Sequence, residues 1–171
     1  MASPSSQRPR WIGALAATAL IVAIDQAVKA LVRAQVPEGS VRQLVPGVDL
    51  VHTENTGVSF GAFSGLPVWG VALISSAALV LVVVILLRAA PGRAGRSAAV
   101  LIAGGAIGNL IDRAVRGAVT DFLDLPLLPP CNVADIAITF GAILMIGALL
   151  LAPSDEPGEA PSGAADEAGG R

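Results

Sequence analysis

The twenty residues from Val68 to Leu87, VWGVALISSAALVLVVVILL, carry no charged side chain. A stretch of roughly 20 apolar residues matches the hydrocarbon thickness of a bilayer. Inside lipid only a helix or a closed barrel satisfies every backbone N–H and C=O, so the run predicts a membrane-spanning helix. Three further segments share the character: Trp11 to Val32, interrupted by Asp25 and Lys29; the shorter, glycine-rich Ser97 to Ile111; and Val133 to Ala152, with Asp135 near its start. Composition agrees, since 54% of the 171 residues are hydrophobic, 14% are charged and the mean hydropathy is +0.72, outside the usual range of soluble domains. The expected fold class is an all-α polytopic membrane protein of four transmembrane helices filling residues 1–152. The remaining residues, 153–171, have the composition of a disordered acidic tail.

The first segment follows Arg8 and Arg10 and so imitates a secretory signal peptide. It is too long for one, lacks a small-x-small cleavage site and holds an ionic pair, so it reads as a retained span. The net charge of -2 is uninformative by itself, but with no basic stripe or aromatic platform to hold one, no nucleic-acid partner is expected. The single cysteine, Cys131, leaves no intrachain disulfide and no cysteine-based zinc cluster.

Arg8, Arg10, Arg88, Arg93, Arg96 and Arg171 fall on one side of the four-span arrangement, and Arg33, Arg42, Arg113 and Arg116 on the other. The bias places both termini in the cytoplasm. In that orientation Asp25 and Lys29, Asn109 and Asp112, and Asn132 and Asp135 all fall toward the outer leaflet. Charged residues within spans are costly and mark functional sites, so their convergence predicts chemistry at the outer membrane surface.

Each motif also has a plainer explanation. Asp25 and Lys29, spaced i, i+4, stack on one helical face and form a structural ion pair. In NLIDR, Asn109 and Asp112 share a face, while Arg113 can snorkel to headgroups. GGAIG just before it, with Gly104, Gly105 and Gly108, permits close helix approach. In NVAD, Asn132 suits an N-cap and Asp135 the N3 position of a capping box. Asp121 tips the balance toward chemistry. In GAVTDFLD it follows an extended Val/Thr stretch and can fold back toward Asp135. Two adjacent carboxylates cannot both ionise cheaply; one keeps a proton while the other activates water.

Other readings compete. GVSFG, Gly57 to Gly61, matches a G-x-S-x-G nucleophile elbow around Ser59, but that motif needs an α/β sheet and a histidine base, and the lone His52 is poorly placed. Cys131 reads as a small apolar filler. Asp112, Asp121 and Asp124 suggest Mg²⁺ ligands of a headgroup transferase, although the D-G-x-x-A-R block of those enzymes is absent. A transporter with an aspartate proton relay is a third class, but four spans with no internal repeat suit alternating access poorly.

Four blocks in order, DQAVKALV, ENTGVSFGAF, GGAIGNLIDRAVRGAVTDFLD and CNVADIAITFGA, resemble the lipoprotein signal peptidase family, signal peptidase II, the intramembrane aspartic peptidases of bacteria. The resemblance covers roughly residues 11 to 150. It implies four helices, a small extracytoplasmic β-cradle in the first loop and an amphipathic segment on the outer leaflet. It implies cleavage of diacylglyceryl-modified prolipoproteins before the lipidated cysteine, by a monomer among membrane lipids, with no metal and no cofactor. Carried onto this sequence, it makes Asp121 and Asp135 the catalytic dyad and Asn55, Asn109, Arg113 and Asn132 substrate-binding. Asp25, Lys29, Gly57, Gly105 and Asp112 become supporting residues. The chain departs from the family pattern at Cys131, where a phenylalanine is usual, and at GVSF in place of GAAF.

Overall fold

The computed structural model describes residues 10–56 and 92–151, with the single helical positions Gly70, Val84 and Arg88 between them. Apart from Gly70 and Val84, the uncharged run 68–87 lies outside these residues, and with it the expected count of four spans. Gly57, Ser59 and the tail 153–171 lie outside them too.

In chain order the described elements are α1 (Arg10–Gln35), β1 (Val41–Val45), β2 (Val48–Asn55), α2 (Arg93–Arg116), β3 (Val119–Asp124) and α3 (Val133–Leu150). All three helices are long and apolar enough to cross a membrane. Their outward faces carry Trp11, Leu15 and Leu20 on α1 and Phe140, Ile143 and Ile146 on α3, all exposed, as suits a lipid environment.

Two expectations change. Hydropathy alone bounds the glycine-rich span at Ser97 and Ile111, with arginines on either side. The helix instead runs from Arg93 to Arg116, with Arg113 and Arg116 in its last turn, where cations complement the helix dipole. It ends at Gly117, whose φ of 82° lets its N–H reach Arg113 O at 3.1 Å. The second change concerns the all-α class and the cradle in the first loop. A three-stranded antiparallel sheet is present in the order β1-β2-β3, and its third strand comes from the connection between α2 and α3. A lone two-stranded hairpin is marginal in water; β3 covers the edge of β2 that would otherwise stay open.

Helix α2 packs against both α1 and α3. Its buried residues include Gly95, Ala98, Ala99, Ile102, Gly105, Asn109 and Asp112, a stripe at spacings of three and four that shares one face. Small side chains let the neighbouring backbones close in. A Cβ at Gly104 would lie 2.8 Å from Ile21 Cβ of α1, and one at Gly105 would collide with the Ala134 carbonyl of α3. Because that obstacle is backbone, Gly105→Ala is expected to cost about 1–3 kcal/mol and to displace the start of α3. Gly147→Ala is the control, since nothing lies within 4 Å of a Cβ there. Equal melting temperatures for the two variants in detergent would show this packing to be wrong.

Candidate active site

The C-terminal ends of α1 and α2, the N-terminal end of α3 and strands β2 and β3 meet at one end of the helix bundle. Asp121 reaches this junction from β3 and is only 2% exposed. A return of the chain brings Asp135 to it: the amides of Phe122 and Leu123 donate to Cys131 O at 3.0 and 2.9 Å, and the Cys131 amide donates to Leu123 O at 2.9 Å. That bridge sets Asn132 at the mouth of α3.

Asn132 is fully buried and joins the two carboxylates. Its Nδ2 donates to Asp121 Oδ1 at 2.7 Å, and its backbone N–H donates to Asp135 Oδ2 at 3.2 Å. Its Oδ1 accepts from the Asp135 amide at 3.0 Å, so the capping box is real. The same cap aims the Asp135 side chain back at the Asn132 backbone. Asn109 Nδ2 donates to Asp135 Oδ1 at 2.8 Å, and Asn55 Nδ2 donates to Asp121 Oδ2 at 3.0 Å. Every carboxylate oxygen of the pair thus has an amide donor.

Beneath the pair lies a neutralised charge cluster. Lys29 Nζ, fully buried, sits 2.8 Å from Asp25 Oδ2 and 3.0 Å from Asp112 Oδ2, and donates to Asn109 Oδ1 at 2.8 Å. Arg33 Nη1 stands 3.8 Å from Asp112 Oδ1, which matches two cations to two carboxylates. Asp25 Oδ1 accepts from the Ala134 amide in the first turn of α3 at 2.9 Å, a site where a negative charge also favours the helix dipole. The expected Asp25–Lys29 ion pair is therefore part of a larger unit that ties α1, α2 and α3 together.

Burial is the main cause that raises the Asp121 carboxyl above its ordinary range. The hydrogen bonds from Asn55 and Asn132 lower it, the charge of Asp135 raises it and Lys29 lowers it. Burial, then the charges of Asp135, Asp121 and Asp124, push the Cys131 thiol up as well, so it remains a thiol and not a nucleophile.

Of the residues expected from the sequence, Asp121, Asp135, Asn55, Asn109, Asn132, Asp25, Lys29 and Asp112 are drawn into one connected set. Gly105 contributes close packing, and Gly57 lies outside the described residues. Arg113 is half-buried, and its Nε is buried without a hydrogen-bond partner among the described residues. Among the described residues no three His, Cys, Asp or Glu side chains are grouped to hold a metal ion, so Asp112, Asp121 and Asp124 do not form the ligand set weighed above. Sequence reasoning missed Gln26, whose Nε2 donates to Gly108 O at 3.0 Å and to Asp112 Oδ1 at 3.3 Å. Its position directly after Asp25 was the available signal.

Known proteins carry the same pattern over most of the chain. Residues 17–151 match the family model for Signal peptidase (SPase) II. The chain belongs to the signal peptidase II family. Among curated signal peptidase II relatives it is 39% identical to the "Lipoprotein signal peptidase" of Tolumonas auensis, over 80% of this chain and 87% of that one. It is 38% identical to the protein of the same name from Moorella thermoacetica, over 83% of this chain and 95% of that one. A solved structure titled "Bacterial membrane enzyme structure by the in meso method at 1.9 A resolution" superposes with a TM-score of 0.67 and 26% identity, covering 81% of this chain and 93% of that one. As a signal peptidase II, the chain is a membrane peptidase.

Proposed function

We propose that this protein is an aspartic endopeptidase of the bacterial cell membrane that removes the signal peptide from diacylglyceryl-modified prolipoproteins, cutting the peptide bond before the lipidated cysteine. The observation that carries the reading is Asn132, which holds Asp121 and Asp135 around one polar spot through two N–H donors. We assign the shared proton to Asp121, whose burial favours the neutral form and which donates that proton to the scissile carbonyl oxygen. Asp135 takes a proton from water as that water attacks the carbonyl carbon. When the tetrahedral intermediate collapses, the C–N bond breaks, the proton on Asp135 passes to the leaving amine, and one hydroxyl proton of the intermediate returns to Asp121. Asn55, Asn109, Asn132 and Arg113 position the peptide backbone, and Arg113 Nε, without a hydrogen-bond partner among the described residues, is a donor for it. Acyl chains held in the adjoining lipid keep the bond at the dyad, so that proximity supplies much of the rate. One copy of the chain suffices, since both aspartates and their partners come from it, and no step calls for a metal or an organic cofactor.

The direct test is cleavage by the purified full chain in detergent. A diacylglyceryl-modified precursor should be cut in the presence of a chelator, and the unmodified precursor should not. Loss of cleavage on chelation, or equal cutting of both precursors, would remove the reading.

Orientation is tested separately. We place both termini in the cytoplasm and the site near the outer leaflet, from the arginine bias. In a Cys131→Ala background, a cysteine at Ser40, beside the sheet, should react with an impermeant thiol reagent in intact cells, and one at Ala94, in the first turn of α2, should not. The opposite labelling would put the site in the cytoplasm.

A further inference from the structure

We infer that a polar clamp on the reverse face of the sheet, made by Arg33, Thr120, Glu54 and His52, sets the strand register that presents Asn55 to Asp121, which makes Glu54 and Thr120 positioning residues for the reaction. The inference rests on the proposed role of Asp121. Side chains alternate between the faces of a strand, and the pairing is Glu54 with Thr120 and Thr53 with Asp121. Asn55 and Asp121 therefore lie on one face, while Glu54 and Thr120 lie on the other.

The register between these strands is not regular. Leu50 pairs with Leu123 and Thr53 with Asp121, so three steps along β2 answer two along β3. One extra residue is inserted in β2, a bulge that interrupts the ladder of backbone bonds. A slip of one residue at such a point turns every side chain to the opposite face and would carry Asn55 away from Asp121.

Side chains hold the strands at that weakened point. Thr120 Oγ1 donates to Glu54 Oε1 at 3.0 Å and accepts from Arg33 Nη1 at 2.9 Å. The Thr120 backbone N–H donates to Asp112 Oδ2 at 3.3 Å. His52 Nε2 lies 3.2 Å from Glu54 Oε1, and its Nδ1 lies 2.7 Å from Val36 O, just past the end of α1. Glu54 precedes Asn55 and Thr120 precedes Asp121, so each residue of the catalytic face has a clamped neighbour on the reverse face. The clamp is anchored to α1 at both ends, through Arg33 and through Val36, and α1 also holds Lys29 beneath the dyad.

The experiment compares Glu54→Ala, Thr120→Val and Glu54→Gln with the parent protein on a diacylglyceryl-modified precursor, over a pH series, with folded protein quantified by thermal melting. Thr120→Val keeps the shape and strand preference of the side chain while removing its hydroxyl, so it should fold. A misplacement of about 1 Å in a reacting group can cost about a hundredfold. Glu54→Ala and Thr120→Val should lower kcat by about 10- to 100-fold with a smaller rise in KM, since Asn55 also positions the peptide, and Glu54→Gln, which keeps an acceptor for Thr120, should restore most of the rate. A loosened Asn55 withdraws a donor that favours ionised Asp121. The alkaline limb of the kcat profile, where the shared proton is lost, should then move to higher pH. Lys29, Asp135 and Cys131 also face Asp121 and are unchanged in these variants. Parental kinetics in Glu54→Ala and Thr120→Val would overturn the inference. So would a fall in kcat proportional to lost folded protein with the pH profile unmoved, which is what a merely structural role gives. Asp121→Asn serves as the control: its continued activity would instead overturn the proposed dyad.

Discussion

Replacing Asp121 or Asp135 with asparagine is expected to lower turnover of a lipoprotein precursor by about a thousandfold or more, because an amide neither carries nor exchanges the proton that the mechanism moves. The fold should survive. At position 121 an amide presents one NH₂ where the carboxylate accepted from Asn55 or Asn132, setting donor against donor at one of two contacts, a loss of about 1–3 kcal/mol. At position 135 the loss is limited to one arm of the capping box or the bond from Asn109, about 1 kcal/mol. Both variants should therefore insert and melt cooperatively while remaining inactive. The double variant should be no slower than either single one, since residues that act as a unit do not contribute additively. A folded, purified single variant that retains a tenth or more of the parental kcat would remove that aspartate from the chemistry.

That experiment separates what the sequence made legible from what it left hidden. Apolar run length was enough to locate α1 and α3, because lipid imposes one length on any helix that crosses it. It was less informative for α2, where glycine lowers the hydropathy and terminal arginines resemble loop. The convergence of Asp25, Lys29, Asn109, Asp112, Asn132 and Asp135 followed from charge placement along spans of alternating direction. The pairing of β2 with β3 did not, because it joins segments more than sixty residues apart and leaves no periodic trace in either. For the same reason the joint contact of Arg33, His52, Glu54 and Thr120 left no trace in the sequence. Each looks like an ordinary surface residue until the bulge between Leu50 and Thr53 is known. Asn132 was legible only in half: the N-cap was visible locally, and its reach to Asp121 depends on the Leu123–Cys131 bridge.

The largest expected effect on stability belongs to Lys29. From the i, i+4 spacing alone, Asp25 and Lys29 form a closed pair, and removing both should be milder than removing either. The structure enlarges that pair, because Lys29 Nζ faces Asp112 as closely as Asp25, at 3.0 and 2.8 Å. Lys29→Met leaves two buried carboxylates with one cation, Arg33, which is the more distant partner at 3.8 Å. Breaking a buried ionic unit at one member typically costs about 3 to 5 kcal/mol, through the charge left uncompensated in a low-dielectric site. Asp25→Asn added to Lys29→Met should recover more, since Asp112 keeps Arg33 as its cation and an amide oxygen at position 25 can still accept from the Ala134 N–H in the first turn of α3. Asp112→Asn added to Lys29→Met should recover less, because it leaves Asp25 with no cation and Arg33 without its carboxylate. Neighbouring charges couple non-additively, so the two double-mutant cycles must differ in size and the first must show the stronger rescue. Thermal melts of the three single and two double variants in one detergent decide the matter. If Asp112→Asn proves the equal or better rescue of Lys29→Met, Arg33 does not balance Asp112 and the two-cation, two-carboxylate unit does not govern stability.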